Sequence, residues 1–406
     1  MGPFGSNIKV DCFVDSGVPV LNGSNLDGFT LKEESFRYVT EEKADSLKRA
    51  NAKKGDIVIT HRGTLGQIVY IPQNAKYERY VISQSQFRIR CKEHVLPEYL
   101  VFYFHTRVGQ HKILSNASQV GVPALARPST TFQQIEVELP DIEVQKKIVS
   151  ILQSFNDKIE LNNKINANLQ QQAQAIFKSW FVDFEPFQDG EFVESELGPI
   201  PKGWKVISLE NVCSVITKGT TPTTLKRRFT DCGINYIKAE SISNAHFIDK
   251  NKIAYIDQET HELLSRSKIQ ENDILFTIAG TLGRFCMVDK ENVPANTNQA
   301  VAIIRADISK IHPCVLYSYF LGDWHTEYCH TRVQQAVQAN LSLGTLKNMQ
   351  IPYPDEVTME KYRSIVEPLI AEVQRTNREN VASENLRNAL IPKLMNGEID
   401  VEGVAD

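Results

Sequence analysis

No stretch of this sequence is long and apolar enough for a membrane span, and its N-terminus lacks the basic-then-apolar run of a secretion signal. Cysteine is sparse. Cys12, Cys91, Cys213, Cys232, Cys286, Cys314 and Cys329 are an odd, scattered set without a Cys-x-x-Cys pair. That speaks against a disulfide framework or a paired-cysteine zinc site and for reduced thiols in a cytoplasm. Positive charge is not in excess either. At a net charge of −4 the whole chain does not attract nucleic acid, so DNA contacts would need local basic patches or partner subunits.

Catalytic motifs are missing as well. There is no Gly-x-x-x-x-Gly-Lys-Ser/Thr phosphate loop and no Gly-x-Gly-x-x-Gly after a strand. No Asn/Asp-Pro-Pro-Tyr/Phe tetrapeptide of an aminomethyltransferase occurs; Pro352-Tyr353-Pro354-Asp355 has the letters in another order. His261-Glu262-Leu263-Leu264-Ser265 lacks the second histidine of a zincin. His325, Cys329 and His330 lie close together, but without a second Cys/His pair a polar loop or helix is the simpler reading. Asp141 and Asp355 each follow a proline and precede a helical run, where aspartate caps a helix rather than building a nuclease centre. Neither a catalytic residue nor a metal ligand is assigned.

What the chain has is length and repetition. Its 406 residues fit two domains plus connectors. From about Asp141 to Phe184 there is neither glycine nor proline, and Ile148, Leu152, Phe155, Ile159, Leu169, Ile176 and Trp180 recur at helical spacing, with an offset near Asn162 and Ile165 also on the stripe. Some forty residues make a rod of roughly 60 Å. Its apolar stripe needs a partner helix, and the candidate is a run from about Thr358 to Met395 marked by Val366, Leu369, Val373, Leu386 and Leu390. Pro368 and Pro392 predict a kink or a delayed start there.

Each helical run follows a segment rich in β-branched residues, and the two segments share landmarks in one order. Val18 to Leu21 matches Ile234 to Ile237, and Gly55-Asp56-Ile57 matches Asn272-Asp273-Ile274. Gly63-Thr64-Leu65-Gly66 recurs as Gly280-Thr281-Leu282-Gly283, a glycine-bracketed hairpin between strands. Ser83-Gln84 matches Asn298-Gln299, each with an arginine further on at Arg90 and Arg305; Pro97 matches Pro313, and Pro140 matches Pro352. Six landmarks at a near-constant offset identify an internal duplication. Pro201 to Lys218 has no counterpart before Gly2, so the first copy is short by about a strand and a helical turn.

Polar loops supply candidate DNA contacts. In the first copy they are Ser6, Asn7, Lys9, Arg62, Thr64, Gln84, Asn116, Ser118 and Gln119. In the second they are Lys218, Thr220, Thr221, Lys226, Arg227, Arg228, Thr281, Arg284, Gln299, Arg332, Gln334, Gln335 and Asn340. Lysine, arginine and threonine meet phosphates, while arginine, glutamine and asparagine read base edges. Singly each is an ordinary solvated loop residue; their placement once per copy points the loops as a set toward function.

The order block, helix, block, helix resembles the specificity subunit of type I restriction-modification systems. Local phrases carry the resemblance: Gly2-Pro3-Phe4-Gly5-Ser6-Asn7-Ile8-Lys9, Gly55-Asp56-Ile57, Gly198-Pro199-Ile200-Pro201-Lys202-Gly203-Trp204, Asn298-Gln299 and Leu390-Ile391-Pro392-Lys393-Leu394-Met395-Asn396-Gly397-Glu398-Ile399. It implies an α+β fold of two similar target-recognition domains, a pseudo-twofold repeat, separated by two long helices in an antiparallel coiled coil. The expected boundaries are 1–140 for the first recognition domain, 141–185 for the central helix, 186–355 for the second domain and 356–406 for the last helix and tail. The resemblance further implies a non-catalytic reader of an asymmetric bipartite DNA target that docks two methyltransferase subunits and, in some assemblies, restriction subunits. S-adenosylmethionine would then belong to the methyltransferase, and ATP and Mg to the restriction subunits. The alternatives are a truncated, inactive member acting as a protein-binding scaffold, a scaffold that never binds DNA, and a fused enzyme.

Overall fold

The computed structural model describes residues 1–2, 7–115, 117–118, 122–322, 328, 340–401 and 403, with Ser118 by its backbone alone. Contacts divide the chain into two units, Met1–Ile159 with Ala382–Asp406, and Glu160–Val381. Each unit is a β-rich block with a portion of both long helices.

In the first unit the β-branched segments form β1 (Val18–Val20), β2 (Arg37–Val39), β3 (Asn51–Lys53), β4 (Asp56–Thr60), β5 (Ile68–Tyr70), β6 (Arg79–Val81) and β7 (Gln86–Arg90). One sheet is ordered β2-β1-β6-β3, with β1 and β6 parallel, and the other β5-β4-β7. Strand β4 reads Ile57-Val58-Ile59 without alternation because both its faces are covered. Val58 faces a core with Val18, Leu21 and Val81, while Ile57 and Ile59 join Phe87, Val101 and Phe104. Helix α1 (Pro97–His105) starts on Pro97, whose missing N–H is no loss in a first turn. The two-residue strands Ala117–Ser118 and Ala124–Leu125 and the short helix Pro128–Gln133 occupy what the sequence presents as a polar loop.

Helix α2 (Ile142–Phe181) follows. The second unit then repeats the block as β8 (Lys205–Ser208), β9 (Cys213–Lys218), β10 (Ile234–Ile237), β11 (Ala254–Ile256), β12 (Lys268–Ile269), β13 (Ile274–Thr277), β14 (Phe285–Met287), β15 (Ala295–Thr297), β16 (Val301–Ala306), α3 (Pro313–Leu321) and β17 (Gln350–Tyr353). Sheet β11-β10-β15-β12 reproduces β2-β1-β6-β3, parallel central pair included. Sheet β9-β16-β13-β14 reproduces β7-β4-β5 and adds β9 on the outer edge, while β8 pairs with β17. Among the described residues of the first unit, neither the outer edge of β7 nor residues 135–140 has a strand beside it.

The chain ends in helix α4 (Glu356–Met395). It is one continuous helix through Pro368 and Pro392 and starts at Glu356, so of the expected kink or delayed start the delay does not occur, and it begins with Asp355 accepting from the Thr358 amide at 2.9 Å. Both prolines are exposed, as are Ser364 and Asn388, the residues one turn before them whose carbonyls a proline deprives of an N–H partner, so water can take its place. Within each unit α2 and α4 pair antiparallel. In the first, Ile148 and Leu152 pack with Ile391 and Leu394. In the second, Phe177 and Phe181 pack with Tyr362, Val366 and Ile370. Burying a side chain such as Leu152 is worth about 1.5–3 kcal/mol.

The seam departs from the apolar pattern at several places. Ile148, Leu152, Val366 and Val373 are buried, and Phe155, Ile159, Leu169, Ile176, Trp180, Leu369 and Leu390 half-buried, as the stripe requires. Ile165 and Leu386 point to solvent instead, Leu386 at 51% exposure. In the second unit the offset near Asn162 is a polar layer. Asn162 Nδ2 donates to Asn380 Oδ1 at 2.9 Å, Asn166 Nδ2 to Asn377 Oδ1 at 2.8 Å, and Thr376 donates to Asn166. Arg387, not Leu386, is turned inward in the first unit, donating to Asn156 Oδ1 at 2.6 Å and lying 4.6 Å over the Phe29 ring.

Among the described residues no helix is long and apolar enough to cross a membrane.

Candidate nucleic-acid interface

In an antiparallel sheet the end of one strand lies beside the start of the next, so the loops they feed collect at one edge. In the second unit β9 ends at Lys218, β13 ends at Thr277 and β16 starts at Val301. The backbone ties these loops together: Gly219 N–H donates to Val301 O at 3.2 Å, Thr220 N–H to Thr297 O at 3.0 Å, Ile278 N–H to Ala300 O at 2.8 Å and Leu341 N–H to Ile278 O at 2.8 Å. A Cβ on Gly219 would stand 2.0 Å from Thr297 O, so only glycine permits this approach. Lys218, Thr220, Thr221, Thr281, Gln299 and Asn340 thereby share one end of the unit, with Thr221 Oγ1 bonded to Gln299 Oε1.

The first unit builds the same end. Gly2 N–H donates to Gln86 O at 2.8 Å, His61 N–H to Ser85 O at 2.8 Å, and Leu125 N–H to His61 O at 2.9 Å. Both hairpins turn on left-handed glycines, Gly63 and Gly66 at φ +89° and +86° and Gly280 and Gly283 at +77° and +87°. Arg62, Thr64 and Gln84 are exposed around the first hairpin, and Asn7 and Lys9 are exposed near the start. The His61 ring, 3.1 Å from the Gln84 carbonyl oxygen, is driven toward its neutral form by burial, so it brings no positive charge to this surface.

Two of the basic candidates are already engaged within the fold. Arg227 bonds Glu259 Oε2 at 2.7 Å, Asp257 Oδ1 at 3.3 Å and Thr260 Oγ1 at 3.0 Å, which neutralises it before any phosphate arrives. The Thr260 amide and hydroxyl, then Arg227, hold the Asp257 carboxyl below the usual range. Arg284 donates from Nη1 to the Ile242 carbonyl at 3.2 Å and so pins a loop beside the hairpin. Lys226 and Arg228 remain exposed. Ser6, Asn116, Gln119, Arg332, Gln334 and Gln335 lie outside the described residues, as do His325, Cys329 and His330, and for Ser118 only the backbone is described.

The sequence reading missed one pair. Arg266 sits on the 3-10 turn Ser265–Ser267 and donates to Thr220 Oγ1 at 3.1 Å. Arg49 occupies the same place on the turn Lys48–Ala50 of the first copy. Both are exposed. The internal repeat carries the signal, since Leu47-x-Arg49 and Leu264-x-Arg266 align at the offset of the hairpins.

Away from this end, His312, Cys314 and Glu367 bring ligand atoms within 4.8 Å of one another. There the His312 ring accepts from the Cys314 amide at 3.4 Å, and Glu367 bonds Arg363 at 2.8 Å. A guanidinium already balances the carboxylate, and the group reads as a capped, ion-paired helix start.

A family model described as the type I restriction modification DNA specificity domain matches residues 8–171 and again residues 201–382. The chain is 26% identical over 368 residues to the type I restriction enzyme MjaIX specificity subunit of Methanocaldococcus jannaschii, over 90% of this chain and 82% of the relative. It is 24% identical over 412 residues to the HindI specificity subunit of Haemophilus influenzae, over 86% of this chain and 87% of the relative. In fold it is similar to the type I restriction-modification S subunit from M. genitalium, with a TM-score of 0.51 at 14% identity, over 95% of this chain and 91% of that one. The chain belongs to the type I restriction-modification DNA specificity family and carries the family's domain twice.

Proposed function

We propose that the chain reads an asymmetric, bipartite DNA target, one half-site for each copy of the domain, and presents it to methyltransferase subunits. It is a specificity subunit and performs no chemistry of its own. The observation that carries this is the duplication: one fold, present twice, offers the same loop end with different side chains on it. Residues 1–140 and 186–355 are the two readers, and 141–185 and 356–406 the helices between them. We assign S-adenosylmethionine to two methyltransferase partners, and ATP and Mg to restriction subunits where an assembly has them. The setting is the cytoplasm. Because the chain is acidic overall, firm binding follows when partner subunits close around the duplex.

The test is a map of N6-methyladenine in DNA from cells expressing this chain with the methyltransferase encoded beside it. Two specified halves with a fixed gap are the expected result; a stable complex that leaves no motif would count for a scaffold. In this reading helix length sets the gap. Adding or deleting helical residues in either long helix should change the spacer, and an unchanged spacer would sink that part.

A further inference from the structure

The two copies place one β-bridge at the same point and dress it in opposite ways. In the first unit Arg62, immediately before Gly63, bridges Ala124; in the second Ala279, immediately before Gly280, bridges Asn340. The flanking bond is the same in each, Leu125 N–H to His61 O at 2.9 Å and Leu341 N–H to Ile278 O at 2.8 Å. Residues opposed across an antiparallel bridge project to one face, with Cβ atoms about 4.5–5.5 Å apart. Each copy therefore sets one polar side chain against one methyl group. The polar residue comes from the hairpin strand in one copy and from the opposite strand in the other.

Arg62 and Asn340 are both exposed. Among the described residues neither side chain makes a hydrogen bond or ion pair. They are also the two residue types that read single bases bidentately, arginine at guanine O6 and N7 and asparagine at adenine N6 and N7. Around them the copies agree. Thr64 matches Thr281, Gln84 matches Gln299, and Arg49 matches Arg266 on equivalent 3-10 turns. Two readers of different half-sites share only what the half-sites share, which is the phosphate backbone. What differs at one fixed position is free to follow the base.

We propose that this bridge is where the two half-sites are told apart, with Arg62 reading a guanine in one and Asn340 an adenine in the other. Arg49 and Arg266 hold backbone phosphates beside them. The assignment rests on the DNA-reading function proposed above.

The experiment uses the full chain with its methyltransferase, and compares wild type with R62A, N340A, R49A and R266A. Methylation motifs are mapped, and binding is measured on the wild-type target and its single-base variants across a range of salt. R62A should lose discrimination at one guanine of one half-site by roughly five- to 150-fold, leaving the other half intact. N340A should do the same at one adenine of the other half. R49A and R266A should keep the motif while the slope of log affinity on log salt becomes shallower by about 0.9 each. If R62A or N340A abolishes methylation, the binding series decides. Equal affinity for the wild-type and base-changed duplexes supports the assignment, whereas weaker binding with discrimination intact overturns it. An unchanged motif in both variants also overturns it. A wild-type complex that yields no bipartite motif would defeat the DNA-reading function itself, a result separable from every outcome above.

Discussion

Among the described residues, 201–218 of the second unit have no counterpart in the first, and the two units can be compared with and without that short segment. Residues 201–218 give the second unit the strands β8 and β9 and bury Trp204, Leu209 and Val212 in its largest core. In the first unit the matching edge of β7 is bare among the described residues, and Ile89, Arg90 and Cys91 are more exposed than Ile304, Arg305 and Ala306 in β16. Yet β4 to β7 keep the registers of β13 to β16, and both loop ends form. The duplicated sheets and hairpins thus keep one register in both units, and in the second the segment adds buried apolar side chains to the core.

Truncating the segment's anchor should have the largest effect. Trp204 is buried among the rings of Phe181, Phe184 and Phe187, with centroids 5.0–5.5 Å away. Trp204→Ala should cost about 3–5 kcal/mol. Hydrogen exchange should show the loss in β9 and β16 while β4 and β7 keep their protection; equal loosening of both blocks would mean that the segment is not a local device.

The buried carboxylates are held differently in the two units. Asp273, 1% exposed, takes both oxygens' bonds from Arg305 at 2.7 and 2.8 Å, plus the Gln270 amide. Asp56, fully buried, is held by Arg90 at 2.7 Å and also by Arg88 at 3.3 Å. Arg305→Ala strands a buried charge and should cost about 3–5 kcal/mol. Arg90→Ala leaves Arg88 in place and should cost clearly less by denaturant titration. Similar losses would show that Arg88 is no substitute.

A smaller effect lies in the seam. Leu152 sits in an apolar stretch of the first unit, Asn380 in the polar layer of the second. Asn380→Ala leaves Asn162 and Asn163 without the groups they bond and should cost about 1–3 kcal/mol. Replacing Asn162 and Asn380 together by leucine should recover that loss. If the double replacement stays as unstable as the single one, the layer matters for its shape rather than its polarity.

Much of the architecture was legible because its causes are local. A long run free of glycine and proline, with apolar residues at helical spacing, is α2 whatever surrounds it. The identical hairpins and the Asp–Arg pairs fix the repeat. Most of the failures involve partners distant in sequence. Arg227 looks like a free cation until the sheet brings Asp257 and Glu259 beside it, and Arg284 until Ile242 arrives. Asn162 and Asn166 look like surface residues because nothing in their own helix reveals Asn377 and Asn380. The apolarity of Leu386 points to the seam, yet the neighbouring Arg387 takes the inward place through Phe29 and Asn156. Even the candidate surface shows this limit: Arg49 and Arg266 are lone arginines in short turns, visible only when the two copies are laid side by side.

The smallest expected effect concerns a histidine that has changed elements but kept its partner. In the first unit His105, at the end of α1, bonds the carbonyl of Ile68, the first residue of β5, at 2.9 Å. In the second, His246 comes from a loop yet bonds the carbonyl of Phe285, the first residue of β14, at 3.3 Å. Burial lowers the pKa of both below the ordinary 6.5, and for His105 the nearby Arg387 lowers it further. A histidine depressed in the fold leaves stability unaffected well above that value, where folded and unfolded chains are both neutral. As pH falls below it, the unfolded chain takes up protons that the fold refuses, and stability drops. His105→Gln should flatten that acid-side loss in the first unit and His246→Gln in the second, each read by hydrogen exchange between neutral and mildly acid pH. If one substitution flattens both, the two blocks unfold as a single cooperative piece, and the contrast drawn from their edges would describe packing but not independent stability.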